Sequence, residues 1–229
     1  MIIETEGLNK LYRTDLVETT ALDAVDLKVE EGQFVSIMGP SGCGKSTLLH
    51  ILGLIDSLSG GTYRFLGENV SRYPESRRSR IRKRNIGFVF QSFNLIDELT
   101  VYENVELPLV YTRVPAGERK AKVDAVLERV DIAHRREHFP AQLSGGQQQR
   151  VAVARAVVNK PNLILADEPT GNLDSVNGNE VMQILSSLHD DGTSILMVTH
   201  SAENAAYSER TIRMLDGKII GQDQTQTVQ

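Results

Sequence analysis

Four short apolar runs punctuate the chain: Phe34–Met38, Ile86–Phe90, Leu163–Ala166 and Ile195–Val198. They are rich in β-branched residues, and each is bounded by turn or polar residues. Runs of this kind predict strands buried on both faces of a mainly parallel sheet. Helical periodicity fills the gaps between them. Ser46–Ile55 is apolar and follows directly on a glycine-rich turn. Within Glu118–Val130, the residues Val123, Val126, Leu127 and Val130 fall on one stripe. Gln147–Asn159 is a further predicted helix, stopped before Pro161 because proline disfavours helical backbone in the residue ahead of it. Strands alternating with helices predict an α/β architecture.

Residues 92–159 read as mostly helical and lie between two strand-bearing parts, 1–91 and 160–220. The expectation is one domain over 1–229: a core with an inserted α-helical subdomain. The first 35 residues and Gly61–Leu66 predict shorter strands, forming an antiparallel edge sheet. The tail Gly221–Gln229 is polar and without period, and is expected to be frayed or disordered. There is no internal repeat.

Composition narrows the function classes. A chain of 229 residues suffices for one sizeable domain. A net charge of −5 gives no global electrostatic case for nucleic-acid binding. Cys43 is the single cysteine, so an internal disulfide is excluded and a reducing compartment suits it. The start, MIIETEGLNKLYRTD, lacks a signal peptide's basic end and apolar run. No stretch approaches the ~18–20 apolar residues of a membrane helix. A cytosolic chain is expected, with any membrane role supplied by a partner.

Gly39–Ser46 reads GPSGCGKS, which fits G-x-x-x-x-G-K-[ST] between a predicted strand and a predicted helix. The loop comprises Gly39, Pro40, Ser41, Gly42, Cys43, Gly44, Lys45 and Ser46, with Thr47 behind it. Its glycines let the backbone curl so that successive N–H groups point at phosphate oxygens. The helix N-terminus adds partial positive charge. Lys45 can reach β- and γ-phosphates, and Ser46 can place its hydroxyl on Mg²⁺. A glycine-rich turn that binds nothing is the competing reading, and both flanks count against it. For Cys43, no histidine stands nearby to make a Cys–His pair, so it reads as a small residue whose side chain sits near the nucleotide. Alkylation is then expected to block nucleotide binding, and ATP to protect the thiol.

The run Leu163–Ala166 delivers Asp167 and Glu168 to a strand's C-terminal end, where open α/β sheets bind ligands. Asp167 suits Mg²⁺, through water, and Glu168 suits a general base for the attacking water. A solvated Asp-Glu turn before Pro169 competes with this reading until the phosphate loop is considered beside it. A second anion-binding device follows from Leu143–Ser144–Gly145–Gly146–Gln147, LSGGQ. Its two glycines free backbone N–H groups ahead of a helix. Ser144 and Gln147 also fit a capping box.

LSGGQ, the phosphate loop and the Asp-Glu strand together resemble an ATP-binding subunit of the ABC transporter family, from about Met1 to Ile220. The resemblance implies a P-loop NTPase with a RecA-like core, a β edge subdomain and a helical subdomain that carries the signature. It implies ATP and Mg²⁺ as cofactors and a homodimer in which Ser144, Gly145, Gly146 and Gln147 of one chain close over ATP held by the other. Tyr12 matches the aromatic that stacks on adenine. Gln91 matches the residue that touches Mg²⁺ and the attacking water and relays to the membrane partner. Gly171–Asp174 matches the loop at the dimer interface, with Gly171 and Asn172 in place of the commoner Ser-Ala. His200 matches the histidine that contacts the γ-phosphate. His50, His134, His138 and His189 match no family position and have no metal-binding spacing.

The segment Ser92–Leu109 carries Phe93, Leu95, Ile96 and Leu99, which read both as a docking surface for a membrane permease and as helical core. The run Arg72–Arg84 holds seven cations against Glu75, a solvated helix face or a contact for anionic lipid or an acidic loop. Stretches such as GFVFQSFNLI and LADEPTGNLDS are similar to the lipoprotein-releasing, macrolide-exporting and cell-division ATPases, the first two above all. This implies export, extraction or signalling at the cytoplasmic face of the cell membrane. An ATPase regulating a membrane partner without translocation is the alternative. Repair-type relatives are excluded, since only about 97 residues separate Ser46 from Leu143, with no heptad run.

Overall fold

The computed structural model describes residues 1–13 and 18–224. The chain runs through β1 (Ile3–Arg13), β2 (Glu18–Val29), β3 (Phe34–Met38), α1 (Lys45–Leu52), β4 (Gly60–Phe65) and β5 (Glu68–Asn69). It continues into α2 (Glu75–Asn85) and β6 (Ile86–Phe90), then α3 (Val101–Tyr111), α4 (Ala116–Arg129) and α5 (Gly145–Val157). It closes with β7 (Leu163–Asp167), α6 (Ser175–Asp190), β8 (Ser194–Val198), α7 (Ala202–Ala205), β9 (Arg210–Leu215) and β10 (Lys218–Gln224).

Two sheets result. One is antiparallel, in the order β2-β1-β4-β5; the other has the order β10-β9-β3-β8-β7-β6. In the second, β9, β3, β8, β7 and β6 are parallel and β10 alone is antiparallel. The four apolar runs are four consecutive strands of this sheet, β3, β8, β7 and β6, because only a sheet covered on both faces can bury them. Period-two alternation sorts their side chains. Leu163 and Leu165 join one core cluster with α1 and the antiparallel sheet, while Ile164 and Ala166 join another with α3 to α6. The α4 stripe packs into the second cluster, with Val123, Leu127 and Val130 fully enclosed.

Three expectations change. Gly221–Gln224 is not frayed: it pairs with β9 as β10, and Arg213 meets Asp223 at 2.7 Å. An adjacent strand supplies the order that polar residues cannot supply themselves. Residues 225–229 of the predicted tail lie outside the described residues. The N-terminal strands are long rather than short, because β1 pairs with both β2 and β4 and continues past bulges. The helix expected from Gln147 begins two residues earlier, where Ser144 caps it. Most of the arginine run forms α2, which buries none of its residues.

Candidate functional site

The phosphate loop joins β3 to α1 in left-handed and crowded backbone. Gly42 and Gly44 have φ of +80° and +99°. A Cβ on Gly44 would stand 2.5 Å from the Ala21 carbonyl oxygen, and one on Gly39 would stand 2.2 Å from that of Met214. Glycine is therefore required at both positions. Lys45 lies buried along the loop, its Nζ donating to the carbonyls of Gly39 at 2.8 Å and Pro40 at 2.9 Å. The cation thus sits inside the loop's arc. Ser41 and Ser46 are exposed, and Thr47 is half-buried against the Tyr12 hydroxyl.

Cys43 departs from its expectation. The residue is 3% exposed and its side chain belongs to the core cluster beneath the loop, turned in from solvent. Its main chain stays in the loop, where its carbonyl accepts from the Gly217 amide at 3.0 Å. Burial of this kind limits the access of a thiol reagent.

β7 delivers its two acids beside the loop, although β8 lies between β3 and β7. The Asp167 carboxyl lies beside the Ser46 hydroxyl, which brings the two motifs together. Burial pushes the Asp167 carboxyl above the usual carboxylate range, assisted by Glu168 and opposed by Ser46, His50 and Lys45. Glu168 follows with φ +49°, a left-handed conformation costing about 1–3 kcal/mol in a non-glycine residue. Its main chain is held on both sides, the amide donating to Val198 and the carbonyl accepting from Gly171, both at 2.9 Å. His200 Nδ1 stands 2.8 Å from Glu168 Oε2, with the histidine side chain 73% exposed and the glutamate 19%.

Gln91 directly follows β6 and pairs with Asn172 in the turn after Glu168. Tyr12 is 44% exposed on β1, its hydroxyl donating to Asp56 at 2.9 Å and Lys10 Nζ standing 4.7 Å from its ring centroid. Phosphate loop, Asp167, Glu168 and His200 therefore form one cluster, with Tyr12 beside it through Thr47.

The signature segment stands apart. Ser144 caps α5 in a capping box, accepting from the Gln147 amide at 3.3 Å while Gln147 Oε1 accepts from the Ser144 amide at 3.1 Å. Ser144 is exposed, and no hydrogen bond among the described residues joins 144–147 to 39–47. A Cβ on Gly146 would fall 2.0 Å from Asn177 Oδ1, so the signature is fitted closely to the start of α6.

Two supporting residues escaped the sequence reading. Gln149 is wholly buried, its amide donating to the carbonyls of Phe90, at 3.3 Å, and Pro169. Arg155 donates to the carbonyls of Phe93, at 2.8 Å, and Asn94. These residues tie α5 to the strand ends that carry Gln91 and Glu168. Both are polar residues inside an amphipathic helix, where periodicity gives no signal of what they bind.

Comparisons with known proteins agree with this fold. The sequence pattern of the family described as ABC transporter matches residues 22–171. An uncharacterized ABC transporter ATP-binding protein of Thermotoga maritima is 49% identical over 220 residues, 96% of this chain and 94% of that protein. The macrolide export ATP-binding/permease protein MacB of Azoarcus sp. is 46% identical over 219 residues, 96% of this chain but 33% of that protein. The chain thus spans about a third of the length of that relative. Among solved structures, the dimeric ATP-binding cassette MJ0796, in a post-hydrolysis state bound to ADP and Pi, matches with a TM-score of 0.92 and 40% identity. That match covers 98% of this chain and 99% of the cassette. The chain therefore belongs to the ABC transporter family, as one of its ATPase domains.

Proposed function

We propose that the chain is the ATP-hydrolysing part of a bacterial ABC-type exporter or mechanotransmission complex, working as a homodimer that closes on ATP and opens after hydrolysis. One observation carries the reading: Ser144 is an exposed helix cap on α5, apart from Lys45 and Ser46, within a single chain. Both segments are anion-binding devices by their chemistry. Each is half a site, and a second copy completes both halves symmetrically. The solved relative MJ0796 is a dimer, which supports the same arrangement.

In this reading, loop amides and Lys45 hold the β- and γ-phosphates, and Tyr12 stacks on the base. Ser46 and Asp167 present oxygen donors side by side, one of them a carboxylate whose buried charge favours a cation. That donor set fits Mg²⁺, to which Gln91 adds an amide oxygen. Mg²⁺ supplies charge neutralisation across the phosphates. Glu168 orients the attacking water and accepts its proton, and His200 fixes the carboxylate's orientation. Positioning and charge supply the catalysis, and both are complete only when the two chains meet.

A cavity of about 420 Å³ suits the permease contact. It is lined by Ile55, Phe88, Phe90, Leu107, Pro108 and Tyr111, beside Asn94 and Arg155. The docking surface is therefore proposed around this groove. Ile96 is exposed, while Leu95 packs against the helical core. Among the described residues no helix is long and apolar enough to cross a membrane, so this reading makes the chain peripheral to one.

The test is complementation between chains. Ser144→Arg and Lys45→Ala each remove ATPase activity from the homodimer. Mixed, they restore one intact site per heterodimer. Recovery of part of the activity supports the shared site, and no recovery at any mixing ratio refutes it.

A further inference from the structure

We infer that Asn172 is a positioning residue that selects which atom Gln91 presents to the cation. The inference rests on the proposed role of Gln91 as a ligand of Mg²⁺. Asn172 Nδ2 donates to the Gln91 main-chain carbonyl at 3.1 Å, and Gln91 Nε2 donates to Asn172 Oδ1 at 3.1 Å.

The two contacts remove an ambiguity that amides ordinarily carry. An amide side chain can turn over, exchanging its donor and acceptor ends. A main-chain carbonyl only accepts, so Asn172 must point its NH₂ group at Gln91. Its Oδ1 then faces the Gln91 side chain and can only accept. Gln91 must answer with Nε2, which turns Oε1 away from Asn172. Oε1 has no hydrogen-bond partner among the described residues. Of the two ends of Gln91, only oxygen binds a hard cation, and an NH₂ group in its place repels one.

Gly171 makes room for the clamp. A Cβ there would stand 2.8 Å from Gln91 Nε2 and 3.0 Å from its amide carbon. Gly171 and Asn172 thus act as a pair, the first admitting the Gln91 amide and the second orienting it. Because both follow Glu168 in one turn, the orientation is set by the segment that also holds the proposed base.

The experiment uses Mn²⁺ in place of Mg²⁺, with ATP, on the full chain carrying Glu168→Gln to prevent turnover. Electron paramagnetic resonance gives the Mn²⁺ concentration that half-saturates the protein–nucleotide complex. Asn172→Leu, and Asn172→Ala as a second variant, are expected to raise that concentration roughly fivefold, the equilibrium worth of about one hydrogen bond. In a Gln91→Glu background both side-chain ends are oxygen, so removing Asn172 is expected to change nothing. Equal weakening in both backgrounds assigns Asn172 a structural role and overturns the inference. If Gln91→Ala weakens Mn²⁺ binding and both Asn172 variants do not, the inference fails while the reading of Gln91 stands. If Gln91→Ala has no effect, both fail.

Discussion

Glu168 Oε2 and His200 Nδ1 lie 2.8 Å apart across the ends of β7 and β8, two adjacent parallel strands. The contact joins a half-buried carboxylate in left-handed backbone to an exposed imidazole. It holds the carboxylate at the C-terminal ends of the strands, where the phosphate loop also lies. Replacing Glu168 by Gln keeps the shape and removes the base. Turnover is expected to fall at least ~10²–10⁴-fold while ATP binding persists. The ATP-bound dimer should then accumulate, as read by light scattering with and without ATP. Hydrolysis at the parental rate would remove Glu168 from the mechanism.

Lys45 rests on the carbonyls of Gly39 and Pro40, inside the loop. A phosphate replaces neutral acceptors by charged ones, a gain worth about 1.5–3 kcal/mol for a charge-assisted bond. Lys45→Ala should therefore weaken ATP roughly 10–100-fold in equilibrium binding. Unchanged affinity would contradict the loop assignment.

The burial of Cys43 makes its reactivity a measure of unfolding. A thiol reagent should modify the native protein slowly, with or without ATP, and the urea-unfolded protein at once. Rapid native labelling blocked by ATP would restore the view that this thiol faces the nucleotide.

Asp174 caps α6, its carboxylate accepting from the Asn177 amide at 2.9 Å and from Asn177 Nδ2 at 2.7 Å. These bonds, the main-chain one first, hold its carboxyl below the ordinary value. A depressed folded value means the stabilisation is present above the unfolded pKa of ~3.9 and is lost as pH falls through the folded one. Asp174→Ala should lower urea stability at pH 7. The gap from the parent should close only in acid, below ~3.9. A gap independent of pH would show that the charge is not involved.

Residue order alone determined the four apolar parallel strands, the phosphate loop, the Asp-Glu pair and the signature. Each is a local pattern: an apolar run, glycines at fixed offsets, or acids at a strand end. Backbone preference and burial act on such patterns over a few residues, so neighbours in sequence suffice to read them. Gly221–Gln224 was misread because its order comes from hydrogen bonds to β9, not from its own polar residues. The inward turn of Cys43, the buried amide of Gln149 and the Gln91–Asn172 clamp were likewise decided by tertiary structure. Gln91 and Asn172 stand 81 residues apart, and which groups meet depends on where parallel strands end. Sequence could supply the chemistry of each half of the site. Only packing could bring Asp167 to Ser46, hold Glu168 against His200, and leave Ser144 exposed on a separate helix cap.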